Sequence, residues 1–148
     1  MKFSKKSRYG VAALIDLAVN SKNGHVALGS IAERNEISPQ YLEQVFASLR
    51  RAGIVKSVKG SQGGYLLKYP SSSITVASII QALEGTYYLD DEETKTEESA
   101  AGIAETIQED IVDRVNHGLD QILQNLTLAD LEESFQERQS SGQEMYYI

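Results

Sequence analysis

The N-terminal part of the chain has the apolar spacing of helices. Between residues 6 and 21, the apolar positions Val11, Leu14 and Ala18 recur at steps of three or four and therefore lie on one helical face. Asn23-Gly24 is a turn signal, and a short second helix is predicted over about 28–35. The pattern indicates two consecutive helices whose apolar faces need a shared core.

A third helix is predicted over residues 39–51. Ser38 is a favoured N-cap, Pro39 suits the first helical position, and Gly53 follows where a left-handed residue commonly ends a helix. One side of this helix is apolar and consists of Leu42, Val45, Phe46 and Leu49. The opposite side is polar or small and consists of Gln40, Glu43, Gln44, Ala47 and Arg51. The helix therefore has one side for a core and one side rich in hydrogen-bonding groups.

Two short strands are predicted next, at 54–58 and 65–69, joined by the glycine-rich turn 59–64. Thr75 can then cap a fourth helix. Helices followed by a β-hairpin indicate a winged helix-turn-helix domain, which we place at residues 1–85. The predicted fold is thus mainly α, with a small β-hairpin as the wing.

The C-terminal half begins and ends with polar segments. Residues 86–99 are acidic and have no periodicity, which predicts a loose loop. Thr127 and Asp130 have capping-box spacing and predict a last helix that reaches about residue 138. The remaining segment, 139–148, is predicted to be a flexible tail.

A long helix is predicted between these segments, over about 100–125. Its apolar residues recur at steps of three or four and are Ile103, Ile107, Ile111, Val115, Leu119 and Ile122. These residues either pack within their own chain or are buried against a second copy. The second interpretation is favoured, because the helix has more apolar surface than one side of a small domain needs. We therefore predict a homodimer with residues 100–138 as the dimerisation region.

Charge is divided between the two halves. The formal net charge is −7, yet residues 1–69 carry 11 Lys and Arg against 4 Asp and Glu, and residues 70–148 carry 3 against 17. A basic module attached to an acidic segment is typical of nucleic-acid binding, and an accidental gradient of surface charge is the alternative. Because the polar helix and the glycine-rich turn lie in the basic half, double-stranded DNA is the predicted partner.

The composition excludes several kinds of chemistry. The chain has no cysteine, so it offers no disulfide and no thiolate ligand for zinc or an iron–sulfur cluster. His25 and His117 are expected to be structural, and no signature of a catalytic triad is visible. No enzymatic activity, metal or cofactor is predicted. Asp16 interrupts the apolar run that follows the basic N-terminus, and no apolar segment is long enough to span a membrane, so we expect a cytoplasmic protein.

The glycine-rich turn suits a hairpin tip and not a phosphate-binding loop, because Gly63-Gly64-Tyr65 leads into a strand. In DNA recognition, glutamine can pair with adenine and glutamate with cytosine, whereas cations hold phosphates. The residues predicted to read bases are Gln40, Glu43 and Gln44. Those predicted to contact the backbone or to build the wing are Lys5, Lys6, Arg8, Tyr9, Ser38, Tyr41, Arg51, Lys59, Gly60, Ser61, Gln62 and Gly63. A solvated helix face and a protein-interaction module are the rival interpretations.

As a set, several motifs resemble the Rrf2 family of bacterial transcription regulators. They are Ser7-Arg8-Tyr9-Gly10, Ser38 with Tyr41-Leu42-Glu43-Gln44, Leu49-Arg50, Gly53-Ile54-Val55, and Gly60 with Gly63-Gly64-Tyr65. The resemblance implies a homodimeric regulator of an imperfect palindrome, with the third helix in the major groove and the wing at the adjacent minor groove or backbone. Two positions depart from the family pattern: Ser7 stands where a glycine is usual, and Lys59 where an arginine usually opens the wing.

The resemblance also bears on sensing. Family members with an iron–sulfur cluster carry three cysteines before the dimerisation helix, and residues 86–102 contain none, which implies a regulator without a cluster. The ending Tyr147-Ile148 resembles the cysteine-metabolism branch typified by CymR, whose corepressor, cysteine synthase, accepts a terminal isoleucine. This implies a repressor with a partner-binding tail formed by Met145, Tyr146, Tyr147 and Ile148. The alternatives are a tail that packs on its own dimer and a regulator of the same family that responds to a small molecule.

Overall fold

The structure is a computed structural model, which describes residues 3–91 and 101–146. Most of the acidic loop predicted at 86–99, as well as Tyr147 and Ile148, lies outside the described residues. Within the described ranges the chain forms seven α-helices and one two-stranded antiparallel sheet. The prediction of a mainly α fold with a β-hairpin wing is confirmed. In the same ranges no helix is both long and apolar enough to cross a bilayer.

Three helices build the core of the N-terminal domain: α1 (Lys5–Asn20), α2 (Leu28–Asn35) and α3 (Pro39–Arg51). The predicted bounds of the second and third helices agree with the structure. All three helices contribute to one apolar cluster, whose fully buried side chains include Leu14, Leu17, Ile31, Leu42, Phe46 and Leu49. Burying an apolar side chain of this size stabilises the fold by about 1.5–3 kcal/mol, so this cluster sets the orientation of each helix.

The ends of α3 are set by local chemistry. The Ser38 hydroxyl accepts a hydrogen bond from the Tyr41 backbone N–H at 3.4 Å, as expected of an N-cap. At the other end, Gly53 has φ +77°, and its N–H donates to the Arg50 carbonyl at 3.0 Å. The helix therefore stops where the first strand has to begin.

The wing is a short antiparallel hairpin of β1 (Val55–Val58) and β2 (Gly64–Leu67), with Val58 opposite Gly64. The second strand lies slightly earlier than the predicted 65–69, because this register brings Gly64 into the pairing. On its other edge, β2 exchanges backbone hydrogen bonds of 3.0 and 2.9 Å between Val26 and Tyr65. The hairpin is thereby attached to the segment that precedes α2.

A fourth helix, α4 (Val76–Glu84), starts at Thr75, whose hydroxyl accepts from the Ser78 N–H at 3.1 Å. The long helix predicted over 100–125 consists of α5 (Ala101–Ile107), a π-helical segment (Gln108–Asp113) and α6 (Arg114–Leu123). The apolar periodicity predicted the helix but not the π-helical segment inside it, because a spacing of four residues fits both an α-helix and a π-helix.

The last helix, α7 (Leu128–Tyr146), begins at the predicted capping box. The Thr127 N–H donates to the Asp130 carboxylate at 2.9 Å, and the Asp130 N–H donates to the Thr127 hydroxyl at 3.2 Å. The prediction that this helix ends near residue 138 and continues as a flexible tail is wrong, because the helix extends to Tyr146. Residues 139–146 contain no proline and no left-handed stop, so nothing local ends the helix earlier.

Candidate nucleic-acid interface

Helix α3 has two chemically distinct sides. Its apolar residues Leu42, Val45, Phe46 and Leu49 are completely buried. The polar residues on the other side, Gln40, Glu43, Gln44 and Arg51, are exposed. Because the buried side locks the rotation of the helix, the three residues predicted to read bases point away from the protein together.

A groove of about 640 Å³ runs between α3 and the wing. Both elements supply polar groups to its lining, which includes Glu43, Ala47, Arg50, Ser57, Lys59 and Ser61. One carboxylate, two cations and two serine hydroxyls therefore face a shared concave surface. This combination suits a ligand with hydrogen-bonding edges and negative charge, as a nucleic acid has.

The tip of the wing is held in a defined shape. Gly60 has φ +126°, a conformation that favours glycine, and a Cβ at Gly63 would lie 2.4 Å from the Val58 carbonyl oxygen. The His25 Nε2 atom lies 2.5 Å from the Gln62 carbonyl oxygen, which attaches the tip to the loop after α1. The tip therefore needs little rearrangement to meet a ligand.

The basic start of α1 is anchored to the end of α4. The hydroxyls of Ser4 and Ser7 both donate to the Glu84 carboxylate, the latter at 2.7 Å. Ser7 is completely buried, so this position, where the resemblance to the Rrf2 family implies a glycine, does not lie on the exposed face of α3. Lys5 and Arg8 are exposed beside this anchor.

Two predicted phosphate contacts meet at the C-terminal part of α3. The Lys6 Nζ atom donates to the Ser48 hydroxyl at 3.5 Å, and the Arg51 Nη2 atom donates to the same oxygen at 3.3 Å. Ser48 in turn donates to the Gln44 carbonyl at 3.4 Å. Lys6 and Arg51 thereby form one focus of positive charge beside the exposed face of α3.

Tyr9 and Tyr41 join α1 to α3. Their ring centroids lie 5.7 Å apart in an edge-to-face arrangement, and both rings pack against the core. Both side chains are half-buried, so only part of each is available to a ligand. Their structural role was not anticipated from the sequence, where they were predicted only as DNA contacts.

Arg50 is a site residue that the sequence analysis missed. It is exposed and lines the groove together with Glu43 and Ala47. Residues 43, 47 and 50 follow one another at steps of four and three, so helical spacing was the available signal. The sequence analysis named Arg50 only as part of the motif Leu49-Arg50.

The residues predicted to form a dimer form an apolar stripe along α5, the π segment and α6. Five of them, Ile103, Ile107, Ile111, Val115 and Ile122, are exposed, Ile103 by 67% and Ile122 by 64%. Leu119 differs from the prediction, because it is half-buried against the α4 residues Val76, Ala77 and Ile80 of its own chain. Five residues thus remain as an unpaired apolar surface.

The comparison with known proteins establishes the family. The Rrf2 profile, described as an iron-dependent transcriptional regulator, matches residues 3–134. The chain belongs to the Rrf2 family. The HTH-type transcriptional regulator IscR of Yersinia enterocolitica is 38% identical to it over 135 residues, which are 88% of this chain and 79% of that protein.

Solved structures of Rrf2-family members superimpose on the chain. CymR, the global cysteine regulator of B. subtilis, has a TM-score of 0.76 and 36% identity over 90% of this chain and 98% of its own. IscR of T. potens has a TM-score of 0.66 and 40% identity over 94% of this chain and 91% of its own. The protein is therefore a DNA-binding transcriptional regulator of the winged-helix type.

The description of the Rrf2 family mentions iron, but the residues of this chain do not fit a thiolate-ligated iron–sulfur cluster. The chain has no cysteine, and a cluster of that kind is held by cysteine thiolates. Within residues 3–91 and 101–146, no group of three His, Asp or Glu side chains converges to hold a metal ion. Because this chain has no cysteine thiolates, it differs from a regulator that binds an iron–sulfur cluster through cysteines.

Proposed function

We propose that the protein is a homodimeric repressor that binds a specific, imperfectly palindromic DNA site. One observation carries the proposal: Gln40, Glu43 and Gln44 are exposed together on a helix whose other side is locked in the core. We assign the protein no catalytic role, and we place it in the cytoplasm because its target is chromosomal DNA.

In the proposed complex, α3 enters the major groove and the wing lies beside it. The glutamine amides match the N6 and N7 edge of adenine, and the Glu43 carboxylate accepts from the N4 amino group of cytosine. Lys59 acts as a point charge on a phosphate, since lysine lacks the planar fork that suits arginine to a narrow minor groove. Helix α3 therefore supplies selectivity for bases, and the wing supplies affinity.

The apolar stripe supports the homodimer. An α-helix turns by about 400° in four residues, so side chains four apart drift by about 40° around it. The π segment Gln108–Asp113 has more residues per turn, so the drift within it has the opposite sense and partly offsets the drift in the flanking α-helices. An exposed apolar stripe of this length suits a two-fold contact with the same helix of a second copy, and a two-fold dimer matches a palindrome.

For regulation we favour a protein corepressor, cysteine synthase, over a metal cluster. The lack of cysteine and the structural likeness to CymR, a global cysteine regulator, support this choice. The proposed docking segment consists of Met145, Tyr146, Tyr147 and Ile148, which offers aromatic and aliphatic anchors. Because α7 extends to Tyr146, less of this segment lies outside a helix than the sequence suggested.

Selection of bound sites from random duplex DNA tests the proposal, with and without cysteine synthase. A recovered palindrome is the expected result, and tighter binding in the presence of the synthase would assign the corepressor. A palindrome that is indifferent to the synthase would remove the corepressor and retain the DNA-binding function. Absence of enrichment in both arms would favour a protein-interaction module instead.

Two variants separate the roles of α3 and the wing. Glu43→Ala is expected to change the preferred base at one position, because a base-edge contact contributes about 1–3 kcal/mol of discrimination. Lys59→Ala should weaken all sequences alike and reduce the slope of log K against log salt by about 0.9. Glu137→Ala, at an exposed position of α7, is the control. An unchanged base preference in Glu43→Ala would show that this face of α3 does not read DNA.

A further inference from the structure

A second concave site lies where the N-terminal domain meets the C-terminal helices. It has a volume of about 360 Å³, and the segment before α1, together with α1, α4, α6 and α7, contributes to its walls. Phe3, Val11, Ile80, Leu123 and Leu131 are among its lining residues. Cavities that bind small molecules commonly measure about 300–1,000 Å³, so this one is of sufficient size.

The lining determines the chemistry of a ligand. Tyr87 is the one described lining residue with a polar side-chain atom, and it is only 4% exposed. Its hydroxyl donates to the Asp120 carboxylate at 2.5 Å and accepts from the Gln124 amide at 3.3 Å, so its hydrogen-bonding capacity is used. A charged ligand would lose its hydration there without gaining a partner. The cavity therefore suits an uncharged, largely apolar molecule.

The walls of this space are apolar except for the hydroxyl of Tyr87. Its lining residue Phe3 is 44% exposed, so the cavity is open to solvent on that side and a ligand can enter it. The apolar stripe lies on a neighbouring face of α6. Ile122 of the stripe is exposed, whereas Leu119 and Leu123 are half-buried towards the cavity. A second copy that covers the stripe therefore meets a different face of the helix.

We propose that this cavity binds an uncharged, apolar small molecule. Its walls join α4 of the DNA-binding domain to α6 and α7 of the C-terminal region, so an occupant contacts both parts at once. Such a molecule would alter how the two DNA-reading helices of a dimer are spaced, and it would thus act as an effector. The effect on DNA rests on the proposed function, whereas binding to the cavity does not.

Titration of the full-length protein with N-phenyl-1-naphthylamine, an uncharged apolar fluorophore, tests the site. We expect a saturable rise in fluorescence with one probe bound per chain. Val11→Phe fills the cavity and should weaken probe binding at least tenfold. Val19→Phe is the matched control, because Val19 is also half-buried on α1 but lines a different groove, next to Phe135. If Val11→Phe lowers the melting temperature strongly, Leu123→Phe replaces it as the filling variant.

The outcomes distinguish this proposal from the proposed function. Probe binding that is lost in a filling variant and retained in Val19→Phe supports the cavity site. Absence of saturable binding, or equal binding in all variants, overturns it and indicates that the cavity is filled or closed in solution. A probe that binds the cavity yet leaves affinity for the selected palindrome unchanged overturns the effector role. Probe binding by a protein that selects no DNA would retain the site and refute the proposed function.

Discussion

Arg50 lies in the groove between α3 and the wing, and it takes part in neither of the two ion pairs found within residues 3–91 and 101–146. A guanidinium presents a rigid fork of donors that matches a phosphate bidentately, which an exposed lysine cannot do. Arg50 is therefore placed to contribute a strong phosphate contact, although the cations predicted from the sequence included Lys59 and not Arg50.

Arg50→Ala is expected to weaken DNA binding and to reduce the salt slope by about 0.9, because one phosphate contact is lost. Arg138→Ala is the matched control, since Arg138 is exposed on α7 and donates to the Ser134 carbonyl of its own helix. Binding isotherms between about 50 and 200 mM salt measure both quantities. Equal effects of the two substitutions would place the DNA elsewhere on the molecule.

Gly64 is a position of the wing where no side chain fits. A Cβ there would lie 2.4 Å from the Val26 carbonyl oxygen, which is bonded to the Tyr65 N–H at 2.9 Å. Gly64→Ala is expected to lower the free energy of unfolding by about 1–3 kcal/mol, because backbone has to shift. Gly102→Ala, at a helical glycine where the added carbon would meet no atom within 4 Å beyond its chain neighbours and its own helix backbone, is the control for urea denaturation. A stable Gly64→Ala protein would mean that the wing is not tied to Val26 in solution.

Among the elements, the segment after α4 is attached to α6 by side-chain hydrogen bonds. The hydroxyls of Tyr87 and Tyr88 donate to Asp120, and the Leu89 N–H donates to the Asn116 side chain at 2.8 Å. The bond from Tyr87, followed by that from Tyr88, lowers the pKa of Asp120 below its ordinary value. Burial, followed by the bond to Asp120, raises the pKa of Tyr87. The cluster therefore favours a charged carboxylate and neutral phenols.

This cluster makes stability depend on pH in a defined direction. Because the pKa of Asp120 is lower in the folded state, its stabilising contribution is complete above the ordinary carboxyl pKa of about 4 and is lost as the pH falls through the folded value. Asp120→Asn should be less stable than the parent at pH 7, with the difference shrinking at acid pH. Urea unfolding over this range measures it, with Asp110→Asn at an exposed position as control. A difference that does not vary with pH would contradict the assignment.

At the scale of the whole molecule, a single chain leaves five large apolar side chains of one helical stripe in contact with water. Exposed apolar patches of this kind mark interfaces. The stripe lies in the acidic half, whereas the residues proposed to read DNA lie in the basic half, so the proposed assembly and recognition would use different surfaces. A dimer formed through the stripe would leave both copies of α3 available.

Ile111→Glu is expected to convert the proposed dimer into a monomer, because it would place a charge at the centre of the apolar contact that the dimer buries. Phe135→Glu is the matched control, since Phe135 is also an exposed apolar residue, but it lies on α7 outside the stripe. Sedimentation equilibrium measures the mass of each variant. Loss of one half of a palindromic contact should also reduce affinity for the full site far more than for a half-site. A dimeric Ile111→Glu protein would show that assembly uses another surface.

Features that depend on neighbours in the chain were available from the sequence alone. The two sides of α3, its Ser38 cap, the capping box of Thr127 and Asp130, and the glycine wing follow from helical periodicity and from side chains three residues apart. The length of α7 was not predicted, because a polar segment such as 139–146, which has no helix stop signal, is compatible with either a helix or a flexible tail. The π segment was missed for a similar reason, since a step of four residues does not identify the winding.

Features that depend on residues distant in the chain were decided only by the tertiary structure. Ser7 meets Glu84 across 77 positions, and Arg50 joins the groove only because the hairpin folds back beside α3. Leu119 belongs to the same periodic series as the exposed stripe, yet packing against α4 turns it towards its own core. Periodicity specifies a face of an element, whereas the partner of that face is set by how all elements pack together. The cavity between α4, α6 and α7 exists for the same reason, because no local pattern encodes an empty space.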